Sequence, residues 1–251
     1  MKIEKTLSNI LDINSIQISN NVFCSKFLFD LNIETKLIPN TYYDYPFLII
    51  DNFLTKEECS LINKDLKDSS DYEKAKLKTL ENYPDSQLDE EIRKTNIYKI
   101  KKSYLNIYNQ RFKENQAKIE NYFNLCLTMA SKVQALEYLQ GSFYSIHSDD
   151  SSMIFNEDQL IGFKAVAKNR KLSTVLFTTT YDKKIKNDES FNGGELLFNF
   201  LYDKKGKNIS IKPKAGQMLI FPSNPIFCHE VKKVNDGRRI SLVQWHDAIL
   251  N

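Results

Sequence analysis

The sequence contains three histidines, His147, His229 and His246. His147 stands two residues before Asp149 in the run YLQGSFYSIHSDD (138–150), which otherwise reads as strand. On a strand, residues i and i+2 project from the same face. An imidazole and a carboxylate held side by side in this way make two corners of a metal site. Asp150, by the same alternation, points away. His229, in the strand-like run FCHEV (227–231), offers a third corner. Two imidazoles and one carboxylate on one face of a six-coordinate metal leave three positions open, as in non-haem Fe(II) sites that take a bidentate co-substrate and O₂. A structural zinc site closed by four protein ligands has no such opening.

A co-substrate with a free carboxylate needs a cation deeper in the fold. Ten residues after His229 stands Arg239, in Gly237-Arg238-Arg239-Ile240-Ser241. Arg238 and Arg239 point to opposite faces of a strand. Shared parity with Ser241, Val243 and Trp245 favours Arg239 as the inward residue, with Arg238 as the alternative. A buried guanidinium is costly unless an anion pairs with it. A dicarboxylate such as 2-oxoglutarate would supply one, in the bidentate geometry that arginine favours.

These residues need a scaffold, and the length of 251 residues allows one large domain or two small ones. Hydrophobic content of 41% and charged content of 27% are ordinary for a soluble globular protein. A net charge of +3, against 35 basic and 32 acidic residues, argues against a dedicated nucleic-acid binder. The four cysteines are scattered without a CxxC pair and give no disulfide framework. The first residues, MKIEKTLSNILDINS, lack an apolar signal core, and no window reaches the roughly 20 apolar residues that span a bilayer. The expected setting is cytoplasmic and reducing, with no membrane partner.

Residues 1–45 read as an N-terminal extension of two or three strands packed on the core. At 46–50, PFLII reads as a short buried strand. Thr55 then suits an N-cap, with Glu57 and Glu58 in the first turn of a helix over 56–67. The polar stretch 68–92, with Pro84 inside, reads as an irregular connection or a substrate-covering lid. Between 104 and 132, Ile107, Phe112, Ile119, Phe123, Leu127 and Met129 recur at helical spacing, which predicts one long helix or two shorter ones. From 133 onward the texture is β. Strands are expected at 135–139, 143–147, 172–179, 195–198, 209–212, 217–221, 227–231 and 239–245, separated by glycine-bearing turns. The expected fold class is α+β. A double-stranded β-helix (jelly roll) core over 133–251 is supported by helices from 55–132, the whole forming a domain over 46–251. Residues 151–168 are a second candidate lid.

The chain resembles the Fe(II)/2-oxoglutarate dioxygenases of the prolyl 4-hydroxylase type. An ordered series carries the resemblance: FLIIDNFLTKEECSLI (47–62), LEYLQGSFYSIHSDD (136–150), RKLSTVLFTTTY (170–181), GGELLF (193–198), KPKAGQMLIFPS (212–223) and HEVKKVNDGRRISLVQW (229–245). It covers about 46–247 and leaves out 1–45 and 68–92. It implies that His147, Asp149 and His229 bind iron and that Arg239 holds the distal carboxylate of 2-oxoglutarate. Many prolyl hydroxylases have lysine there, and other branches have arginine. Tyr138 and Thr174 match polar positions that help hold the co-substrate. Tyr144 and Trp245 match aromatic positions lining the site. Glu195, after Gly193-Gly194, would sit on a tight turn beside the substrate entrance.

The implied cofactors are Fe(II), 2-oxoglutarate and O₂, with ascorbate as an optional reductant. The implied reaction hydroxylates an unactivated C–H bond of a prolyl or other amino-acid side chain in a peptide or protein, releasing succinate and CO₂. A hydroxylase of free amino acids or small molecules, and a catalytically silent binding module, are the alternatives. Nucleic-acid demethylation is disfavoured, because that branch carries a second arginine six residues after the first and position 245 is Trp. His246, on the opposite strand face from Trp245, reads as a surface or supporting residue. Cys228 reads as a packed thiol.

Overall fold

In the computed structural model, residues 15–250 are described apart from 32, 35, 76–90 and 186. The strand Leu172–Phe177 lies inside an eight-stranded sheet. The order is Leu48–Ile50, Met218–Pro222, Leu172–Phe177, Arg239–Leu250, Gln134–Tyr138, Asn96–Tyr98 and Tyr72–Lys74, with Leu125–Ala130 paired to the far end of Arg239–Leu250. A second sheet faces it. Its order is Ser15–Gln17, Phe23–Ser25, Leu196–Tyr202, His229–Val231, Phe143–His147 and Arg93–Lys94, with Asn208–Ile211 beside Leu196–Tyr202. The pairings within both sheets are antiparallel.

Strand alternation sorts the side chains into two apolar layers. Leu136, Val175, Phe177 and Phe221 of the first sheet meet Leu196, Phe198, Phe200 and Val231 of the second. The intervening residues Leu172, Leu176, Met218, Ile220, Ile240 and Leu242 point the other way, into a cluster with the helices. Two facing sheets that share one apolar layer give a β-rich core consistent with a jelly roll.

Helix Lys56–Lys67 begins at a capping box. The Thr55 hydroxyl accepts from the Glu58 N–H at 3.1 Å, and the Thr55 N–H donates to Glu58 Oε2 at 2.8 Å. Its Cys59, Ile62 and Leu66 share the second apolar cluster with Tyr108, Ile119 and Phe123 of helix Lys102–Phe123. This second helix is continuous but stops earlier than the helical spacing predicts. Asn124 takes a left-handed conformation (φ 51°) and turns the chain back. Leu125, Leu127 and Met129 then alternate with period two in the strand Leu125–Ala130.

Two further segments depart from expectation. Residues 151–168 form a hairpin, Ser151–Asn156 against Gln159–Ala165, paired with no other strand among the described residues. Of the connection expected over 68–92, Tyr72–Lys74 forms a strand against Asn96–Tyr98 and 76–90 lies outside the described residues; directly after it, Arg93–Lys94 forms a short strand beside Phe143–Tyr144. Within the N-terminal extension, Phe23–Ser25 pairs with Leu201 and Tyr202, and Val22, Cys24 and Leu28 are fully buried in the layer between the sheets. Among the described residues no helix is long and apolar enough to cross a membrane.

Candidate active site

His147 and His229 are register partners on adjacent strands, and their rings lie 4.3 Å apart. Each ring has its Nδ1 against the carbonyl two residues earlier: His147 to Ser145 at 2.8 Å and His229 to Phe227 at 3.0 Å. A proton on Nδ1 donated to that carbonyl leaves the Nε2 lone pair free for a metal. Asp149 Oδ1 is 3.8 Å from His147 Nε2. The other oxygen, Oδ2, accepts from the Ser173 hydroxyl at 2.6 Å, and Ser173 Oγ is 2.8 Å from Ser223 Oγ. One ligand atom from each of His147, Asp149 and His229 lies within 4.8 Å of the others.

The electrostatics suit a cation. Burial, helped by the neighbouring His229, pushes His147 down to about 3, so its ring is the neutral ligating form at pH 7. Burial opposes the charge on Asp149, but the two imidazoles, the Ser173 hydroxyl and Arg170 outweigh it, and the carboxyl sits below its usual range. The donors are two nitrogens and one oxygen with no thiolate, a set that fits Fe(II) with open positions.

Arg239 belongs to the facing sheet and is 1% exposed. Its guanidinium lies 4.8 Å from the Tyr138 ring and 5.4 Å from the Phe177 ring. Nη1 donates to Ser241 Oγ at 3.3 Å, while buried Nε has no partner among the described residues. Burial lowers its pKa. Such an orphaned cation fits an anionic ligand. Arg238 points the other way, where it contacts Glu137 and donates to the Asn63 carbonyl at 3.2 Å. Gly194 stands against Arg239: a Cβ there would lie 3.1 Å from Arg239 Cδ, and φ is +64°.

Between the sheets, a cavity of about 560 Å³ is lined by the three metal-site residues and by Arg239, Tyr138, Tyr144 and Trp245. Tyr144 stacks on His147 at 3.6 Å, and burial raises its hydroxyl to about 12. Trp245 carries the Arg170 guanidinium on its face at 3.9 Å.

Two expected site residues lie elsewhere. Thr174 shares parity with Leu172 and Leu176 and faces the helices, not the cavity. Its hydroxyl donates to the Gln244 carbonyl at 3.0 Å and lies 3.2 Å from the Tyr108 hydroxyl. The polar contribution of this strand to the site comes from Ser173. Glu195 is not part of the cavity wall; its side chain bonds to Tyr181, and the next residue, Leu196, lines the cavity instead. His246 is likewise not a surface residue. It is 3% exposed, stacked 4.5 Å from Phe112, and pushed down to about 4 by burial. The face assigned by parity is correct, but a helix covers it.

Three polar residues at the site are absent from the sequence reading: Ser173, which holds Asp149, and the cavity-lining Arg93 and Arg170. The Ser173 position was legible as the inward-facing partner of Val175 and Phe177. No spacing marks the two arginines. Arg93 follows a polar stretch without periodicity, and Arg170 precedes its strand.

Two imidazoles and one carboxylate, facing a buried guanidinium across one cavity, define a candidate non-haem metal site with room for an anionic co-substrate. Residues 133–247 match the family model of the 2OG-Fe(II) oxygenase superfamily. The chain is 32% identical over 108 residues to a PKHD-type hydroxylase of Parvibaculum lavamentivorans, a match covering 43% of this chain and 38% of that protein. It is 40% identical over 58 residues to human prolyl 3-hydroxylase 2, covering 23% of this chain and 8% of that protein. The matches thus span less than half the length of these curated relatives. Among solved structures, a Trichoplax adhaerens prolyl hydroxylase in complex with a hypoxia inducible factor peptide fragment superposes with a TM-score of 0.59 at 19% identity, over 80% of this chain and 83% of that one. A Pseudomonas putida prolyl-4-hydroxylase gives 0.54 at 20% identity, over 80% and 91%. At such identities the likeness is one of fold.

Proposed function

We propose that the protein is an Fe(II)- and 2-oxoglutarate-dependent dioxygenase that hydroxylates a prolyl or other amino-acid side chain in a peptide or protein. The observation that carries this reading is the placement of Arg239, buried and unpaired at Nε among the described residues, on the opposite wall of the cavity from His147, Asp149 and His229. These three residues would hold the iron. Arg239, assisted by Ser241 and packed on Tyr138, would hold the distal carboxylate of 2-oxoglutarate.

When bound, iron with 2-oxoglutarate and O₂ supplies the oxidising power, and succinate and CO₂ are the co-products. The protein's own contribution is position and dryness. Ser173 fixes one carboxylate oxygen of Asp149 and directs the other toward the histidines. The Ser145 and Phe227 carbonyls fix both rings. Leu136, Val175, Leu196, Val231 and Val243 line the cavity with apolar groups that exclude water around the reacting centre. The peptide or protein substrate class rests on the named relatives, a prolyl 3-hydroxylase and a prolyl hydroxylase bound to a peptide.

The test is a turnover screen over proline-containing peptides and free amino acids, with mass spectrometry for the gain of one oxygen atom. Succinate formation that requires iron, 2-oxoglutarate and O₂ together supports the reading. Purified protein that binds neither iron nor 2-oxoglutarate would overturn the reading and favour the silent binding module.

A further inference from the structure

We propose that the substrate carries a carboxylate close to the carbon that is hydroxylated, received between Arg93 and Arg170. This rests on the dioxygenase reading above and specifies its substrate.

The two arginines stand beside the metal site on separate elements. Arg93, on the strand Arg93–Lys94, lies with its guanidinium 4.5 Å from the Tyr144 ring, which itself stacks on His147. Arg170 lies 3.9 Å from the Trp245 ring and donates from Nη1 to the Asp149 carbonyl at 2.9 Å. Both line the cavity. Arg93 is 8% exposed, and its buried Nε has no hydrogen-bond partner among the described residues. The indole Nε1 of Trp245 is also buried, with no hydrogen-bond partner among the described residues. Buried donors of this kind are costly unless an acceptor arrives. Here several of them line one cavity.

Charge decides which acceptor. The cavity-lining cations are Arg93, Arg170, Arg239 and Lys74, and the anions are Asp149 and Glu73. Glu73 and Lys74 are adjacent, exposed residues of the outermost strand, one of each sign, and add no net charge at the rim. With iron and 2-oxoglutarate in place, Asp149 and the two co-substrate carboxylates match the metal and Arg239. Among the described residues lining this cavity, Arg93 and Arg170 are left without a matching anion. On its other side Arg170 interacts with Asp150 in a neighbouring cavity that both line, and the Asp150 carboxylate is shared with the Ser148 and Ser151 hydroxyls. The two guanidiniums oppose each other's charge. A carboxylate between them removes that repulsion and fills their open donor positions. A neutral amide offers one acceptor oxygen and no charge. The carboxylate source is either an acidic side chain next to the target residue in a peptide or the α-carboxylate of a free amino acid.

Trp245 is the only tryptophan in the sequence, so its fluorescence reports occupancy of this part of the cavity. The experiment uses protein loaded with iron(II) and 2-oxoglutarate in the absence of O₂. It titrates end-capped proline peptides with Asp or Glu beside proline against their Asn or Gln counterparts, and free amino acids against their amides. At least one carboxylate probe should bind tenfold or more tightly than its amide partner, and added salt should narrow the gap. Arg93→Gln and Arg170→Gln should each remove most of the preference, while Arg93→Lys and Arg170→Lys retain part of it. The capped-peptide and free amino-acid arms identify the source. Equal binding of carboxylate and amide, a preference that survives both Gln variants, or no binding by any probe would overturn the proposal. Binding of 2-oxoglutarate, measured first on each protein, reports that the variants are folded and separates the two readings. If wild-type protein fails at that step, the dioxygenase reading falls as well; if only the carboxylate preference is missing, this inference alone falls.

Discussion

Ser173 Oγ lies 2.6 Å from Asp149 Oδ2, so a hydroxyl from one sheet sets the carboxylate that follows a strand of the other. Ser173 is fully buried and is itself 2.8 Å from Ser223 Oγ. The bond assigns different roles to the two oxygens of Asp149, one held by protein and one facing His147 Nε2.

Removing that hydroxyl should loosen the metal without unfolding the protein. Ser173→Ala is expected to weaken iron binding by about 10- to 100-fold, the usual cost of losing a group that orients a metal ligand. Metal titration of the apoprotein reads this directly. Thr174→Val is the control, because Thr174 faces Tyr108 and Gln244. It should lower the melting temperature and leave iron affinity unchanged.

The two adjacent arginines should separate cleanly. Arg239→Ala is expected to weaken 2-oxoglutarate binding by roughly 2–5 kcal/mol, as for loss of one partner of a buried charge pair. Arg238→Ala should spare co-substrate affinity and instead destabilise the fold by about 3–5 kcal/mol, since the buried Glu137 carboxylate loses its counter-charge and keeps only the neutral donors of Tyr98 and Asn96. Calorimetric titration and chemical denaturation of both variants check the pair.

Gly194 is a steric test of the same wall. A methyl group there meets Val234 Cγ2 at 2.9 Å and Arg239 Cδ at 3.1 Å, at a φ of +64°. Gly194→Ala should cost more than about 1 kcal/mol of stability and should also reduce 2-oxoglutarate affinity by shifting Arg239. Unaltered affinity would show that the arginine has slack.

Acid should destabilise the fold through its buried histidines. His246 is pushed down to about 4 by burial, whereas an unfolded histidine titrates near 6.5. Between these values the unfolded chain binds more protons than the folded one, so stability falls as pH drops from about 6.5 toward 4. His147, at about 3 in the metal-free protein, acts in the same direction. His246→Gln should flatten the dependence of melting temperature on pH over that window.

Much of the site was legible because strand alternation is a rigid rule. The parity that groups Arg239, Ser241, Val243 and Trp245 places all four on the cavity wall. The rule gives the face but not what covers it. His246 was correctly turned away from the cavity, yet that face packs on Phe112 of a helix. Thr174 shows the rule overridden by resemblance: its alternation with Leu172 and Leu176 already pointed toward the helices. Helical and strand spacing were confused near 125–130, where Asn124 in the left-handed region changes the period within one residue. Arg93 and Arg170 carry no periodic signal, and only tertiary pairing brings them over Tyr144 and Trp245.

The central claim is that one cavity binds iron through His147, Asp149 and His229 and 2-oxoglutarate through Arg239. Calorimetric titration of 2-oxoglutarate into metal-free and Fe(II)-loaded protein without O₂ tests it most directly. The predicted result is one co-substrate per chain, bound much more tightly when iron is present, with the iron enhancement lost in His147→Ala. Absence of 2-oxoglutarate binding, or binding that is indifferent to both iron and His147, would contradict it.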